Sequence, residues 1–331
     1  MIAIIGVNSL SGSTFAKHAL ERGHEVIGFG RQENPVPNFT AHLNLDRENL
    51  EQFTFLKTNI LQDYDVIARE IAARKCDIVI NFAAQSMVAQ SWNSPEDWYE
   101  VNVSAFSKLV SCIRKRNGVY LRKFVNFSTP EVYGSRDGLI MENWNFNPTT
   151  PYAISRAASD FHLRALASNF DFPVIFTRTA NVYGPHQKLY RVVPKLITQA
   201  IKKEKFQLHG GGTSLRSFIH IDDVTNALFM IAEKGEIGNT YHISTNEFIS
   251  IADLTRLILD RIGREYDECV EVVEDRQGKD SAYLLNSEKI RSELDWNDSI
   301  PLKDGLDTVI NWIKQDWNTL KDINLDYVHS R

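Results

Sequence analysis

The chain has 331 residues, 37 Lys and Arg against 42 Asp and Glu, a formal net charge of −5 and 43% hydrophobic residues. That balance excludes a duplex-binding surface, which needs a basic stripe to neutralise phosphates, and the apolar content at this length supplies a core and excludes disorder as the main state. No window approaches the run of about 20 apolar residues that spans a bilayer, and a prior of about 150 residues per domain gives about two lobes.

The chain opens on the apolar run Ile2 to Ile5, which stops at Gly6. A secretory signal needs a basic start and a longer apolar stretch, so a cytoplasmic location is expected. A helix around Ser13 to Arg22 follows, then strands at Glu25 to Phe29 and Phe53 to Lys57, and a helix around Tyr64 to Arg74. Next come a strand at Asp77 to Phe82, a helix from Pro95 to Arg116, a strand at Lys123 to Phe127, a helix from Tyr152 to Asn169 and a strand at Val174 to Thr177. Short β-branched runs alternating with stretches of helical period are the signature of βαβ units. A near-continuous apolar run such as Asp77-Ile78-Val79-Ile80 is what burial on both faces requires. Six parallel strands with crossover helices predict an α/β fold, a doubly wound parallel sheet of the Rossmann type.

After Ala180 the alternation gives way to a helix near Arg191 to Lys203, a turn at Gly210 to Gly212 and a helix at Asp222 to Glu233. The expectation is a Rossmann domain over residues 1–180 and a smaller, mixed C-terminal substrate lobe over 181–331, with 218–243 packing back on the sheet. Cys76, Cys112 and Cys269 are scattered and show no C-x-x-C spacing, so neither a disulfide framework nor a zinc site is expected. His186, His209 and His220 stand singly and suggest no metal site.

Several positions carry chemistry. Gly6 to Gly12 follows the first strand and opens a helix, so backbone N–H groups and the positive helix end can meet a pyrophosphate. Its spacing is G-x-x-x-x-x-G, with Ser9 and Leu10 between, and taken alone it is also an ordinary strand-to-helix turn. The cofactor-selecting position at the end of the second strand holds Gly30 and Arg31 where an acidic residue would bind a 2′-hydroxyl. An arginine there suits a 2′-phosphate, which favours NADP over NAD, or is simply a solvated surface residue. Tyr152 and Arg156 lie one turn apart on one helix face. A fixed cation stabilises a phenolate and lowers a tyrosine pKa from about 10, although such a pair is also an everyday helix-surface contact. Ser128-Thr129-Pro130-Glu131-Val132-Tyr133-Gly134 ends the fifth strand, where open α/β sheets bind ligands.

These residues together resemble the extended short-chain dehydrogenase/reductases, specifically the nucleotide-sugar 4,6-dehydratases of the dTDP-glucose 4,6-dehydratase type. Asn81-Phe82-Ala83-Ala84-Gln85-Ser86 with Asn102-Val103, Ser128 to Gly134, Pro151 to Asp160, Arg178 with Asn181 to Pro185, Arg216 to Val224 and Asp275 to Asp280 match in order. The resemblance implies that Gly6, Ser9, Leu10, Gly12, Arg31, Asn59, Ile60, Phe82, Ala83, Ala84, Tyr152 and Arg156 bind the dinucleotide. It implies that Gln85, Ser86, Thr129, Asn181, Arg216 and Arg276 bind the substrate, and that Thr129, Glu131, Tyr152 and Arg156 are catalytic. It also implies a homodimer built on the helices near 95–116 and 152–169.

Two departures stand out: Arg156 where the family has Lys, and Pro130 where it has a general-acid Asp. The related GDP-mannose 4,6-dehydratases also lack that Asp and keep the Glu. The implied reaction oxidises C4 of an NDP-hexose, loses water across C5 and C6, and returns the hydride, giving the NDP-4-keto-6-deoxyhexose. Glu131 separates it from a 4-epimerase, which needs no base at C5. A UDP-glucuronate decarboxylase, which shares a Ser-Thr-Ser-Glu-Val-Tyr-Gly segment, is the other enzymatic reading, and the segment 275–280 resembles dehydratases more. With Arg156 in place of Lys, a catalytically impaired dinucleotide-binding protein is the non-enzymatic one.

Overall fold

The computed structural model describes residues 1–33, 35–117, 120–275, 282 and 284–329. Seven strands form one parallel sheet: β1 (Ile2–Ile5), β2 (Val26–Gly30), β3 (Phe53–Lys57), β4 (Ile78–Asn81), β5 (Lys123–Ser128), β6 (Val174–Thr179) and β7 (Thr240–Ile243). Their order is β7-β6-β5-β4-β1-β2-β3. The strand sequence reverses direction at β1 and β4, the switch point where the carboxyl ends of an open sheet diverge into a crevice.

The period-two alternation of a strand divides the core into two layers. Ile2 and Ile4 of β1 face α1 (Leu10–Glu21) and the helix Ile221–Lys234. Ala3 and Ile5 face α2 (Tyr64–Ala73), α3 (Phe106–Asn117) and α4 (Pro151–Phe170). α4 starts where Thr150 accepts from the Ala153 amide at 3.1 Å and Pro151 occupies the first turn, the position where a missing N–H costs nothing. A further core joins α5 (Val192–Lys202), Ile251–Ile262 and Leu302–Gln315 in the C-terminal lobe.

The six expected strands are all present, with ends that differ by up to two residues. The seventh, β7, pairs with β6 in parallel register, Tyr241 beside Thr177 and His242 beside Arg178. Its sequence Thr-Tyr-His-Ile lacks the apolar continuity of a buried strand, and buried hydrogen bonds with Tyr133 and Asn286 accommodate His242. The helix expected from Pro95 to Arg116 is interrupted: Pro95–Tyr99 widens into a π-helical turn at Glu100–Ala105 before α3 begins. That widened turn sets Asn102 against the loop after β4, where its carbonyl oxygen accepts from the Gln85 amide at 2.8 Å. The Asn102 amide nitrogen in turn donates to the Gln85 carbonyl at 3.1 Å and to the Ser155 hydroxyl at 2.9 Å.

Candidate active site

A cleft of about 870 Å³ opens at the carboxyl ends of the sheet strands. Gly6, Ser9 and Leu10 after β1, Arg31 after β2, Asn59 and Ile60 after β3, and Phe82 to Ser86 after β4 all line it. So do Thr129 and Glu131 after β5, Asn181 after β6, and Tyr152 and Arg156 from α4. Residues scattered over the first 190 positions converge because every one of them follows a strand or opens a helix on the same edge.

Gly6 adopts φ +85°, and a Cβ there would lie 2.8 Å from the Ala83 amide nitrogen, so only glycine admits this turn. The Ser9 hydroxyl donates to the Gly6 carbonyl at 2.8 Å and accepts from the Gly12 amide at 3.1 Å, capping α1. The positive end of a twelve-residue helix therefore faces the cleft. A tight glycine turn, a capped helix end and the adjoining cavity fit a dinucleotide pyrophosphate. Gly12 is a correction to the expected contact set, since it does not line the cleft. A Cβ on it would meet the Gly6 carbonyl oxygen at 2.4 Å, so its task is close helix-to-strand approach.

Thr129 accepts from the Glu131 amide at 3.3 Å and holds the short turn that projects Glu131 beside Tyr152. The Tyr152 phenol is hydrogen-bonded by the Thr129 side chain and feels Glu131, Arg156 and Arg191. Burial raises its pKa above the ordinary value, Glu131 adds to that, and Arg156, Thr129 and Arg191 pull it back down. Arg156 is buried, donates through Nη2 to the Phe127 carbonyl at 2.5 Å, and leaves Nε without a partner among the described residues. A planar guanidinium thus occupies the position of the expected cation with one edge tethered to β5.

Below the floor, Asp160 of α4 is fully buried and accepts from Asn126 at 3.0 Å, Ser128 at 2.8 Å and Arg178 at 3.0 Å. Arg178 is fully enclosed, with its guanidinium 4.9 Å from the Phe146 ring centre and 5.3 Å from that of Tyr133. It therefore supports the end of β5 from beneath and does not face the cleft.

Arg216 likewise stands apart from the cleft lining. It is buried, and its guanidinium donates to the Leu215 carbonyl at 2.7 Å. Arg276 and residues 277–280 lie outside the described residues. Several lining residues were not foreseen: Lys188, Tyr190, Arg191, Tyr327 and Val328. Arg191 Nη2 donates to the Ser86 hydroxyl at 3.0 Å, and Lys188 Nζ lies 4.2 Å from the Phe39 ring centre. The tyrosine and the two cations around Lys188-Leu189-Tyr190-Arg191 were the available signal, obscured by reading Arg191 as a helix start. Among the described residues no cluster of His, Cys, Asp and Glu could hold a metal, and no helix is long and apolar enough to cross a membrane.

The family model for GDP-mannose 4,6 dehydratase matches residues 3–309. Among curated proteins, the chain is 33% identical over 335 residues to the dTDP-D-glucose 4,6-dehydratase of Bos taurus, covering 93% of this chain and 92% of that protein. It is 33% identical over 281 residues to the Homo sapiens enzyme of the same name, covering 83% of this chain and 79% of that one. Among solved structures, it is similar to DesIV, a dTDP-glucose 4,6-dehydratase from Streptomyces venezuelae solved with NAD. That comparison has a TM-score of 0.87 at 28% identity and covers 96% of this chain and 98% of that one.

Proposed function

The chain belongs to the nucleotide-sugar 4,6-dehydratases of the extended short-chain dehydrogenase/reductase type, and on that premise we propose that it converts an NDP-hexose to the NDP-4-keto-6-deoxyhexose through Thr129, Glu131, Tyr152 and Arg156. The observation that carries the assignment of roles is the meeting of a carboxylate, Glu131, with the hydrogen-bonded Thr129 and Tyr152 pair in one cleft.

Tyr152 takes the proton from the 4-hydroxyl while Thr129 hydrogen-bonds that oxygen. A dinucleotide held at Gly6, Ser9 and Leu10 would supply the hydride acceptor for C4 and the donor for C6, with no net change in its oxidation state. Arg156 and Arg191 oppose the effect of burial on the phenol and bring Tyr152 closer to the range in which it acts as a base. Once C4 is a ketone the C5 hydrogen is acidic. Glu131 removes it and hands that proton to the departing 6-hydroxyl, which leaves as water, in place of the donor that Pro130 cannot supply; after hydride reaches C6, Glu131, reprotonated from solvent, returns a proton to C5. The walls of the cleft exclude water from the intermediate stage.

Arg31 supports a 2′-phosphate and hence NADP, whereas the NAD in the DesIV structure supports the other dinucleotide for that relative. A direct competition between the two settles it for this chain. Gln85, Ser86 and Asn181 are the proposed substrate contacts within the cleft. Arg216 and Arg276 are proposed to hold the diphosphate and nucleotide of the substrate, the bidentate role a guanidinium suits. A homodimer through α3 and α4 is supported by Ile154 and Phe161, which stand 43% and 46% exposed on α4. Sedimentation at micromolar concentration checks this. Three free cysteines support a reducing, cytoplasmic setting.

Mass spectrometry of the protein incubated with each dinucleotide and a panel of dTDP-, UDP-, GDP- and CDP-hexoses and UDP-glucuronate tests the reaction. A product lighter by one water supports dehydration. Loss of carbon dioxide from the uronate would replace it with decarboxylation, and cofactor binding without any product would leave a binding protein.

A further inference from the structure

The last described residues, Asp326 to His329, run from the C-terminal lobe to the Rossmann lobe along the wall of the cleft. At one end Lys195 of α5 donates to Asp326 at 2.9 Å, and Tyr327 meets Tyr190 edge-on with ring centres 5.2 Å apart. In the middle, Tyr327 and Val328 both line the cavity. At the other end the His329 ring stacks on Trp98, 4.9 Å away and 14° from parallel, and its Nε2 meets Asp97 Oδ2 at 2.8 Å. His329 Nδ1 also meets the Tyr327 hydroxyl at 3.2 Å, so the segment is braced within itself.

The docking point is rigid. Trp98 is fully buried and Asp97 is 4% exposed, on the helix Pro95–Tyr99 that continues into the widened turn carrying Asn102. The segment itself adds little to the core: Leu325 is the last residue packed in the C-terminal cluster, and Val328 is 72% exposed. A stretch that contributes little to packing yet is held at both ends across two lobes has the form of a strap. Tyr327 lies within the fields of both Arg31, at the end of β2, and Arg191, which holds Ser86 at the end of β4.

We propose that Asp326 to His329 form a clasp that retains the dinucleotide in the cleft between turnovers. The proposal rests on the dinucleotide reading above. A reaction that returns its hydride has no need to exchange the cofactor, so a barrier to release costs no turnover, whereas the sugar nucleotide must come and go. Tyr327 is the positioning residue of the clasp, and His329 with Trp98 and Asp97 is its fastening.

The test is the release rate of NADH, and in parallel of NADPH, from the preloaded protein, chased with excess oxidised dinucleotide and followed by nicotinamide fluorescence. In a chain ended after Leu325, release is expected to be at least about tenfold faster, equivalent to about 1.4 kcal/mol. The thermal midpoint of the cofactor-free shortened chain should fall somewhat as Trp98 and Asp97 lose His329, so release is compared at a temperature where both chains remain folded. His329→Ala should reproduce most of the effect, and His329→Gln, which keeps a side-chain donor toward Asp97, should restore part of it. In the full chain NADH should slow proteolysis after Lys321. Equal release rates in the full and shortened chains with dehydration intact would overturn the clasp alone, as would a raised KM for the sugar nucleotide with release unchanged. Failure of the full chain to bind either dinucleotide would overturn the clasp together with the cofactor reading.

Discussion

Two buried histidines should make this protein lose stability as the pH falls from about 6.5 to about 5, before most carboxylates titrate. His242, on β7, is fully buried: Nδ1 donates to the Asn286 carbonyl at 3.0 Å, which leaves Nε2 to accept from the Tyr133 hydroxyl at 2.8 Å. Burial, with the Arg178 guanidinium adding to it, pushes its pKa down to about 3. His42, packed 4.6 Å from the Phe53 ring centre, is pushed by burial to about 4. An unfolded imidazole titrates near 6.5, so below that pH the unfolded chain takes up protons that the native state refuses. Stability is therefore full above 6.5 and is lost as pH falls toward the folded values. At about 1.4 kcal/mol per unit, each histidine removes about 2 kcal/mol by about pH 5, and the two together about 4 kcal/mol. That is a large share of the roughly 5 to 15 kcal/mol by which domains are stable. His18, His186 and His220, also lowered by burial, act in the same direction. Urea unfolding followed by tryptophan fluorescence at about pH 7.5 and about pH 5 measures the difference, and His42→Phe should remove about 2 kcal/mol of it. Equal unfolding free energies at the two pH values, or an undiminished difference in His42→Phe, would refute the reasoning.

Three further outcomes follow from the site. Arg156→Met removes a cation that lowers the Tyr152 pKa, so the acid limb of kcat/KM should move to higher pH; in Arg156→Lys it should stay in place, and an unmoved limb in both would show that Arg156 does not tune the phenol. Asp160→Asn leaves Arg178 buried without its carboxylate and should cost about 3 to 5 kcal/mol in denaturant unfolding, against no change if the pair is idle. Gly12→Ala drives a methyl against the Gly6 carbonyl and should weaken NADH binding in fluorescence titration, whereas unaltered binding would remove Gly12 from the account.

The sheet was legible where strands are buried on both faces, because Ile2 to Ile5 and Ile78 to Ile80 leave periodicity no alternative. β7 was not, because His242 is polar and becomes a core residue only through Tyr133 and Asn286, more than forty positions away. The widened turn at Glu100–Ala105 was not foreseen, since the buried Val101, Ala105 and Leu109 keep a four-residue spacing that an ordinary helix also admits. Most of the cleft was legible too, since the ends of parallel strands must meet at one edge and the motif residues follow those ends. Arg216 was placed only by its motif, because a short antiparallel pairing with Ile249 sets its backbone and sequence order says nothing of where that pair docks. Lys188, Arg191 and Tyr327 were missed for a related reason: they reach the cleft only through the way the C-terminal lobe lies on the sheet.

The central claim is that Glu131 is a base at C5 within a cycle that keeps its hydride, and the direct measurement is the reaction run in heavy water with the position of deuterium in the product read by NMR. The account predicts one deuterium at C5 and none at C6 from solvent, with formation of that product abolished or slowed by about a hundredfold or more in Glu131→Gln. A product carrying hydrogen at C5, or full turnover by Glu131→Gln, would contradict it.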